Sequence, residues 1–267
     1  MNNIVLKSEK VLSVFSPERG MNLMQLQVEK KELIELTSKP LFEERFAGLG
    51  SLIGPHFHHR ATDQIPPVPN ENLFPHIARV RAKGVVEPFS HGIARYAPWK
   101  TRVLENSILA TLSGEDLWNG LSLASLEGFS FQMNLEASLL PRGLSLDYSV
   151  ESEKPSVIGL HYYYRLPSSG GRIKAAVEGR KDELCFDALQ EVDLGFIPKK
   201  GSEGFFEVFY ENTEFTMKIS FKTDDPSWQL YRPQGSSYIC IEPLSAKDPK
   251  HPIYKKSRLQ VRIEILD

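Results

Sequence analysis

Cysteine is scarce: the chain of 267 residues carries two, Cys185 and Cys240. Both lie in apolar, strand-like stretches, and no Cys-x-x-Cys or Cys/His ligand spacing occurs. This excludes a disulfide framework and points to a reducing compartment, with a cytoplasmic location expected. An excess of one charge is also missing. Lys and Arg total 32 against 34 Asp and Glu, a net charge of −2. With no positive surplus to neutralise phosphates, no nucleic-acid partner is expected. The opening MNNIVLKSEK lacks the apolar core of about 7–15 residues that marks a secretory leader. No stretch reaches the roughly 18 apolar residues that a bilayer span requires, so no membrane partner is expected. Regular alternation of strands with long amphipathic helices is absent, which argues against a parallel α/β fold. No repeat of about 20–50 residues suggests a propeller. No low-complexity linker divides the chain, so residues 1–267 are expected to form one domain.

What the chain does hold is surface to bury, with 15 Phe, 9 Tyr and 3 Trp. That surface is arranged with period two. Met24, Leu26 and Val28 alternate with Gln25, Gln27 and Glu29. Phe129, Phe131, Met133 and Leu135 alternate with polar residues, and beyond Pro141-Arg142-Gly143 so do Leu144, Leu146, Tyr148 and Val150. Two later runs repeat the pattern, Phe215 to Phe221 and Leu259 to Ile265. Successive strand side chains point to opposite faces, so each run predicts a half-buried strand in an all-β, antiparallel fold. One short helix is expected over 41–48. Three segments rich in proline and turn residues, 61–75, 223–237 and 243–256, are expected as long loops over the sheets, where binding sites often lie.

Ionisable residues cluster in four stretches: Gly54 to Arg60, His91 to Arg95, Gly159 to Arg165, and Ile239 to Leu244. Glu242 closes the apolar run Tyr-Ile-Cys-Ile. A carboxylate there is partly desolvated, which raises its pKa and makes it a proton acceptor near neutrality. His161 follows Val157-Ile158-Gly159-Leu160 and precedes three tyrosines, and His91 is expected on a loop between Ser90 and Gly92. Each has a structural alternative: a strand-end Glu in water, a satisfied core His, a solvated turn His. Taken together, one Glu base, one or two His acids and two Arg donors make a metal-free acid–base site able to move protons on a polyol.

These stretches carry a resemblance. Ser16-Pro17-Glu18-Arg19-Gly20, Leu52 to Arg60, His91-Gly92-Ile93-Ala94-Arg95 with Trp99, His161-Tyr162-Tyr163-Tyr164 and Cys240-Ile241-Glu242-Pro243 occur in this order. The ordered set resembles the aldose 1-epimerase (galactose mutarotase) superfamily, including its hexose-6-phosphate 1-epimerase branch. The resemblance implies a large antiparallel β-supersandwich with no metal and no organic cofactor. It implies a monosaccharide or sugar phosphate as substrate, and a monomer or homodimer. It makes Glu242 the general base on the anomeric hydroxyl, His161 the general acid on the ring oxygen and His91 an assisting donor. Arg60, Arg95 and Trp99 then belong to substrate binding, together with an Asp for which Asp187 and Asp193 are candidates. The chain departs from the pattern at His59, where the family has Asn, and at Leu244-Ser245-Ala246 after Glu-Pro.

Two other classes compete. His56-x-His58 with His91 or Glu242 resembles a cupin-like metal site, although the Glu that pattern wants after the second His is absent, with Thr62 and Asp63 in that region. Phe57, Trp99 and Trp228, if wet, would suit a non-catalytic sugar-binding protein. Arg60, Arg95 and Arg165 in the motif stretches favour a phosphorylated hexose, because Arg pairs bidentately with phosphate.

Overall fold

The computed structural model describes residues 3–201 and 204–266. Alternation in the sequence becomes hairpins in the fold. Phe131–Leu140 and Gly143–Ser152 pair antiparallel from Phe131 with Ser152 to Leu140 with Gly143, leaving Pro141 and Arg142 as the turn. Along the first of these strands Met133, Leu135 and Ala137 are buried while Gln132, Asn134 and Glu136 are exposed. Phe129 lies before the strand begins.

The strands assemble into two large antiparallel sheets and a small hairpin, Leu117–Trp118 with Leu121–Ser122. In the first sheet the order is Ile4–Lys7, Val11–Ser16, Asn22–Val28, Gly50–Ile53, Gly159–Arg165, Tyr238–Leu244, Ser227–Arg232, Val192–Phe196. In the second it is Leu184–Asp187, Gly171–Ala175, Phe206–Asn212, Thr216–Lys222, Lys256–Ile265, Gly143–Ser152, Phe131–Leu140, Ser107–Ser113, Lys100–Val103. One hydrophobic cluster joins residues of both sheets, including Tyr162, Ile241 and Leu230 from the first and Tyr148, Val261 and Ile219 from the second. The all-β expectation holds. None of the described helices is long and apolar enough to cross a membrane.

Helices and turns cover the other face of the first sheet. The helix expected over 41–48 is Lys39–Arg45. Pro40 sits in its first turn, where a missing N–H costs nothing, and Phe46 leaves it in a left-handed conformation. All three expected loops overlap regular structure, and residues 243–256 form a loop only between the strands Tyr238–Leu244 and Lys256–Ile265. Residues 61–75 hold the short turns Thr62–Gln64 and Glu71–Leu73 and lead into a helix, Pro75–Arg81. Residues 223–237 contain the strand Ser227–Arg232, which lies inside the first sheet. Flanking Asp224-Asp225-Pro226 and Pro233-Gln234-Gly235 mask it in the sequence.

Candidate active site

Strand register brings the first group of side chains together. Gly159 pairs with Leu244 and Tyr163 with Cys240, which sets His161 opposite Glu242. Glu242 pairs on its other side with Gln229, and Tyr231 pairs with Asp193 on the edge strand. Because alternate residues share a face, His161, Tyr163, Glu242, Gln229, Tyr231 and Asp193 all project the same way. They line a cavity of about 360 Å³. Their neighbours Tyr162, Tyr164, Ile239 and Ile241 point into the core between the sheets.

The facing wall comes from two loops. His91 has a left-handed backbone, φ 65°, a conformation that an ordinary residue keeps only when its surroundings enforce it. Here the enforcement is visible. The His91 N–H donates to the His58 carbonyl at 2.9 Å, and the Gly54 N–H donates to the His91 carbonyl at 2.8 Å. Gly92, φ +88°, must be glycine, since a Cβ there would sit 2.0 Å from the Gly54 carbonyl oxygen. Nδ1 of His91 accepts the His58 N–H at 3.3 Å, so a neutral ring carries its proton on Nε2. The His91 ring meets the His161 ring edge-on, centroids 5.1 Å apart, and His161 stacks on Tyr163 at 5.2 Å.

Arg95 lines the same cavity and is 4% exposed, yet its Nε and Nη2 have no hydrogen-bond partner. A buried guanidinium with free donors is costly unless a ligand meets it. Its charge is felt across the site. Burial pushes the Glu242 carboxyl up to about 8, with Arg95 pulling it back and Asp193 pushing the same way as burial. Burial, then Arg95, hold His161 and His91 well below the usual imidazole range. Nδ1 of His161 lies 3.4 Å from Oε1 of Glu242, an ion-pair distance, and makes no hydrogen bond. Near neutrality the pair therefore shares one proton, held mainly by the carboxyl group.

Of the remaining sequence candidates, Asp193, Phe57, His58 and His59 line the cavity and the others lie elsewhere. Arg60 is engaged within the protein: Nε and Nη2 grip the Glu87 carboxylate at 3.0 and 2.9 Å, and Nη1 reaches the Glu127 carbonyl at 2.5 Å. It borders a separate depression with His56 and Glu127. Trp99 is 5% exposed, donates from Nε1 to the Ala94 carbonyl and packs near Tyr148, so it supports the His91–Arg95 segment from behind. Asp187 sits on the edge strand of the second sheet, its Oδ1 accepting the Leu189 N–H, whereas Asp193 reaches the cavity. Arg165 pairs with Glu214 at 3.0 Å. Of the aromatic residues expected to be wet, Trp228 is fully buried and stacks on Phe196, while Phe57 borders the cavity. His56 bonds Glu127 at 2.6 Å, and no group of three ligating side chains that includes His56 or His58 converges among the described residues. Gln229, Tyr231 and Arg45 line the cavity without having been singled out. The first two lie on the strand that the sequence disguises as a loop.

No protein-family model and no curated protein matches the sequence. Solved structures do match along nearly the whole chain. A galactose mutarotase-like protein from Lactobacillus casei is 14% identical with TM-score 0.67, covering 99% of this chain and 100% of its own. A GalM/aldose epimerase homologue from C. elegans is 12% identical with TM-score 0.66, covering 99% and 98%. A galactose mutarotase-like protein from Clostridium acetobutylicum is 13% identical with TM-score 0.64, covering 99% and 95%. At these identities the likeness establishes the fold, which is galactose mutarotase-like.

Proposed function

We propose that this chain, acting as one domain over residues 1–267, is an aldose 1-epimerase. The observation that carries the reading is the Glu242–His161 pair, 3.4 Å apart on the floor of a cavity whose volume lies in the range of small-ligand sites. Ring opening of an aldopyranose needs a proton removed from the anomeric hydroxyl and one delivered to the adjacent ring oxygen. In its ionised form Glu242 takes the first, and His161 as imidazolium gives the second. Rotation about C1–C2 and reclosure along the reverse path yield the other anomer. The proton count of the pair is the same before and after, so no outside acid or base is needed. The Nε2–H of His91 donates to a sugar oxygen near the imidazole, while Arg95, Gln229 and Asp193 supply donors and acceptors for hydroxyls. Substrate positioned this way reacts without a separate encounter step. The names of the solved neighbours, mutarotase and aldose epimerase, agree with this reading.

Within that class we favour an aldose phosphate over a neutral aldose. Arg45 and Lys83 stand at the cavity beside Arg95, and Nε of Arg45 is buried without a partner. Guanidinium groups suit phosphate oxygens. The test is exchange spectroscopy of anomeric protons on glucose, galactose and glucose 6-phosphate. Accelerated exchange that disappears in Glu242→Gln supports the reaction and the base together, and a higher specificity constant for the phosphate supports the substrate class. Failure to accelerate any sugar while sugars still bind would replace this reading with that of a carbohydrate-binding protein.

A further inference from the structure

The cavity floor contains a side chain that anomer interconversion does not use. Cys240 shares the face of Glu242, two residues away on the strand Tyr238–Leu244, and is fully buried beneath the pair. One ligating atom each from His161, Cys240 and Glu242 lie within 4.8 Å of one another, and all three residues are buried. Among the described residues this is the one group of three His, Cys, Asp or Glu side chains that converges so closely. Nδ1 of His161, 3.4 Å from Glu242, has no hydrogen-bond partner. We propose that the His161–Cys240–Glu242 triad is a zinc site, in which the bound ion blocks the sugar pocket's acid–base pair.

Ligand type and spacing both fit. Thiolate, imidazole and carboxylate are the set that zinc takes, with bonds of about 2.0–2.3 Å. A tetrahedron built on those bonds separates its ligand atoms by roughly 3.3–3.8 Å. The 3.4 Å between His161 and Glu242 already meets that spacing, and the thiol needs only a side-chain adjustment to complete it. Three protein ligands leave the fourth position facing the cavity, for water or a sugar hydroxyl, the arrangement of an open zinc site rather than a structural one. Charge also balances. Thiolate and two carboxylates, Glu242 and Asp193, offset the dication and Arg95. Binding exchanges protons for metal: the thiol proton and the carboxyl proton leave to solvent as the Zn–S and Zn–O bonds form.

The inference rests on the ligand set and stands whether or not the chain is an epimerase. Cobalt(II), then zinc(II), is titrated into untagged protein while absorbance is followed. One equivalent of cobalt should give the near-ultraviolet thiolate charge-transfer band and tetrahedral visible bands, and zinc should bleach both. Cys240→Ala should lose the thiolate band and weaken binding by more than about 10–100-fold, the loss that even outer-shell partners cause. Cys185→Ala, which removes the exposed thiol at a distance, should keep both properties. If Cys240→Ala does not fold, Cys240→Ser should lose the thiolate band in the same way, and His161→Gln should weaken cobalt binding. Where sugar turnover is measurable, zinc should inhibit it, and Cys240→Ala should keep basal turnover while resisting zinc. Absence of a thiolate band in the parent protein, or its survival in Cys240→Ala, overturns the site. Neither outcome bears on whether sugar exchange is catalysed, which the anomer experiment decides separately.

Discussion

Glu242 is 2% exposed, and the burial that makes it basic also makes its charge expensive to hold. Both consequences can be measured. Its folded-state pKa is about 8 against an ordinary 4.5. The working pair holds one proton, with Glu242 ionised and His161 as imidazolium, and that proton is lost as pH climbs through about 8, so kcat/KM should fall about tenfold per unit above about 8. Glu242→Gln should lower kcat by about 10²–10⁴-fold and abolish this limb. A profile that does not fall above about 8 would remove the Glu242–His161 pair as the proton carrier. The stability effect has the opposite sign. A raised folded pKa means that the folded state holds its proton more tightly than the unfolded chain does. The neutral carboxyl's advantage is therefore complete below about 4.5 and is lost as pH climbs through about 8. Relative to the parent protein, Glu242→Gln should gain Tm progressively across that window and show little difference at pH 4. Thermal melts at several pH values check it, and a constant offset would contradict it.

The loops that carry His91 and Arg95 are held by elements behind them, and there two arginines divide the labour. Arg60 bridges Glu87 and Glu127, two carboxylates whose side chains are fully buried. Glu127 ends the helix Leu123–Glu127, takes His56 on Oε1 and accepts the Ile93 N–H on Oε2 at 3.1 Å, next to the turn that presents His91. Arg60→Met would strand two buried carboxylates and should cost roughly 3–5 kcal/mol of stability. Arg95→Met removes a buried charge with two unpartnered donors and should cost little or raise Tm. It should nevertheless lower kcat/KM by about 10–150-fold, the value of a charged hydrogen bond. It should also move the fall in kcat/KM to a pH above 8, because Arg95 pulls the Glu242 carboxyl down. Chemical unfolding and pH–rate profiles separate the two variants; a stable Arg60→Met with raised KM would return Arg60 to sugar binding. Sequence resemblance alone does not make this distinction. A motif places an arginine in the chain, but which carboxylates fold back onto it depends on residues 27 and 67 positions away. The strand pattern is far more legible, since period two is local. It fails at Ser227–Arg232, where six residues sit between two turn signals, and at Pro75–Arg81, a helix shorter than the window in which 3.6-residue periodicity shows.

Across the whole molecule, the cavity gathers residues that the sequence keeps far apart: His58, His91, His161, Asp193, Gln229 and Glu242. Convergence follows from strand order, in which Gly159–Arg165 and Tyr238–Leu244 occupy the middle of the first sheet, with Ser227–Arg232 and Val192–Phe196 extending it. That order leaves no trace in a local pattern: His91, His161 and Glu242 are legible as single residues, Gln229 is not, and the meeting of the group is not. Asp187 and Asp193 show the difference most sharply. Both are acidic residues on short strands, separated by six positions. Yet Leu184–Asp187 is the edge of the second sheet and Val192–Phe196 the edge of the first, so the intervening turn carries the chain from one layer to the other. Stacked sheets lie about 10 Å apart, so nothing in the spacing tells which carboxylate reaches a ligand. The layers do tell. Asp193 pairs in register with Tyr231 and accepts Gln229 Nε2 at 2.7 Å, both on the cavity face. Asp193→Asn should lower kcat/KM by about 10–150-fold, as expected for a lost charged hydrogen bond to a hydroxyl. It should also lower the Glu242 pKa, because the Asp193 charge pushes that carboxyl up. Asp187→Asn, on the other layer, should leave both within about twofold of the parent, as surface changes away from the site do. Paired kinetics on the two variants measure which sheet carries the chemistry: an effect confined to Asp187 would place the site on the opposite layer of the sandwich.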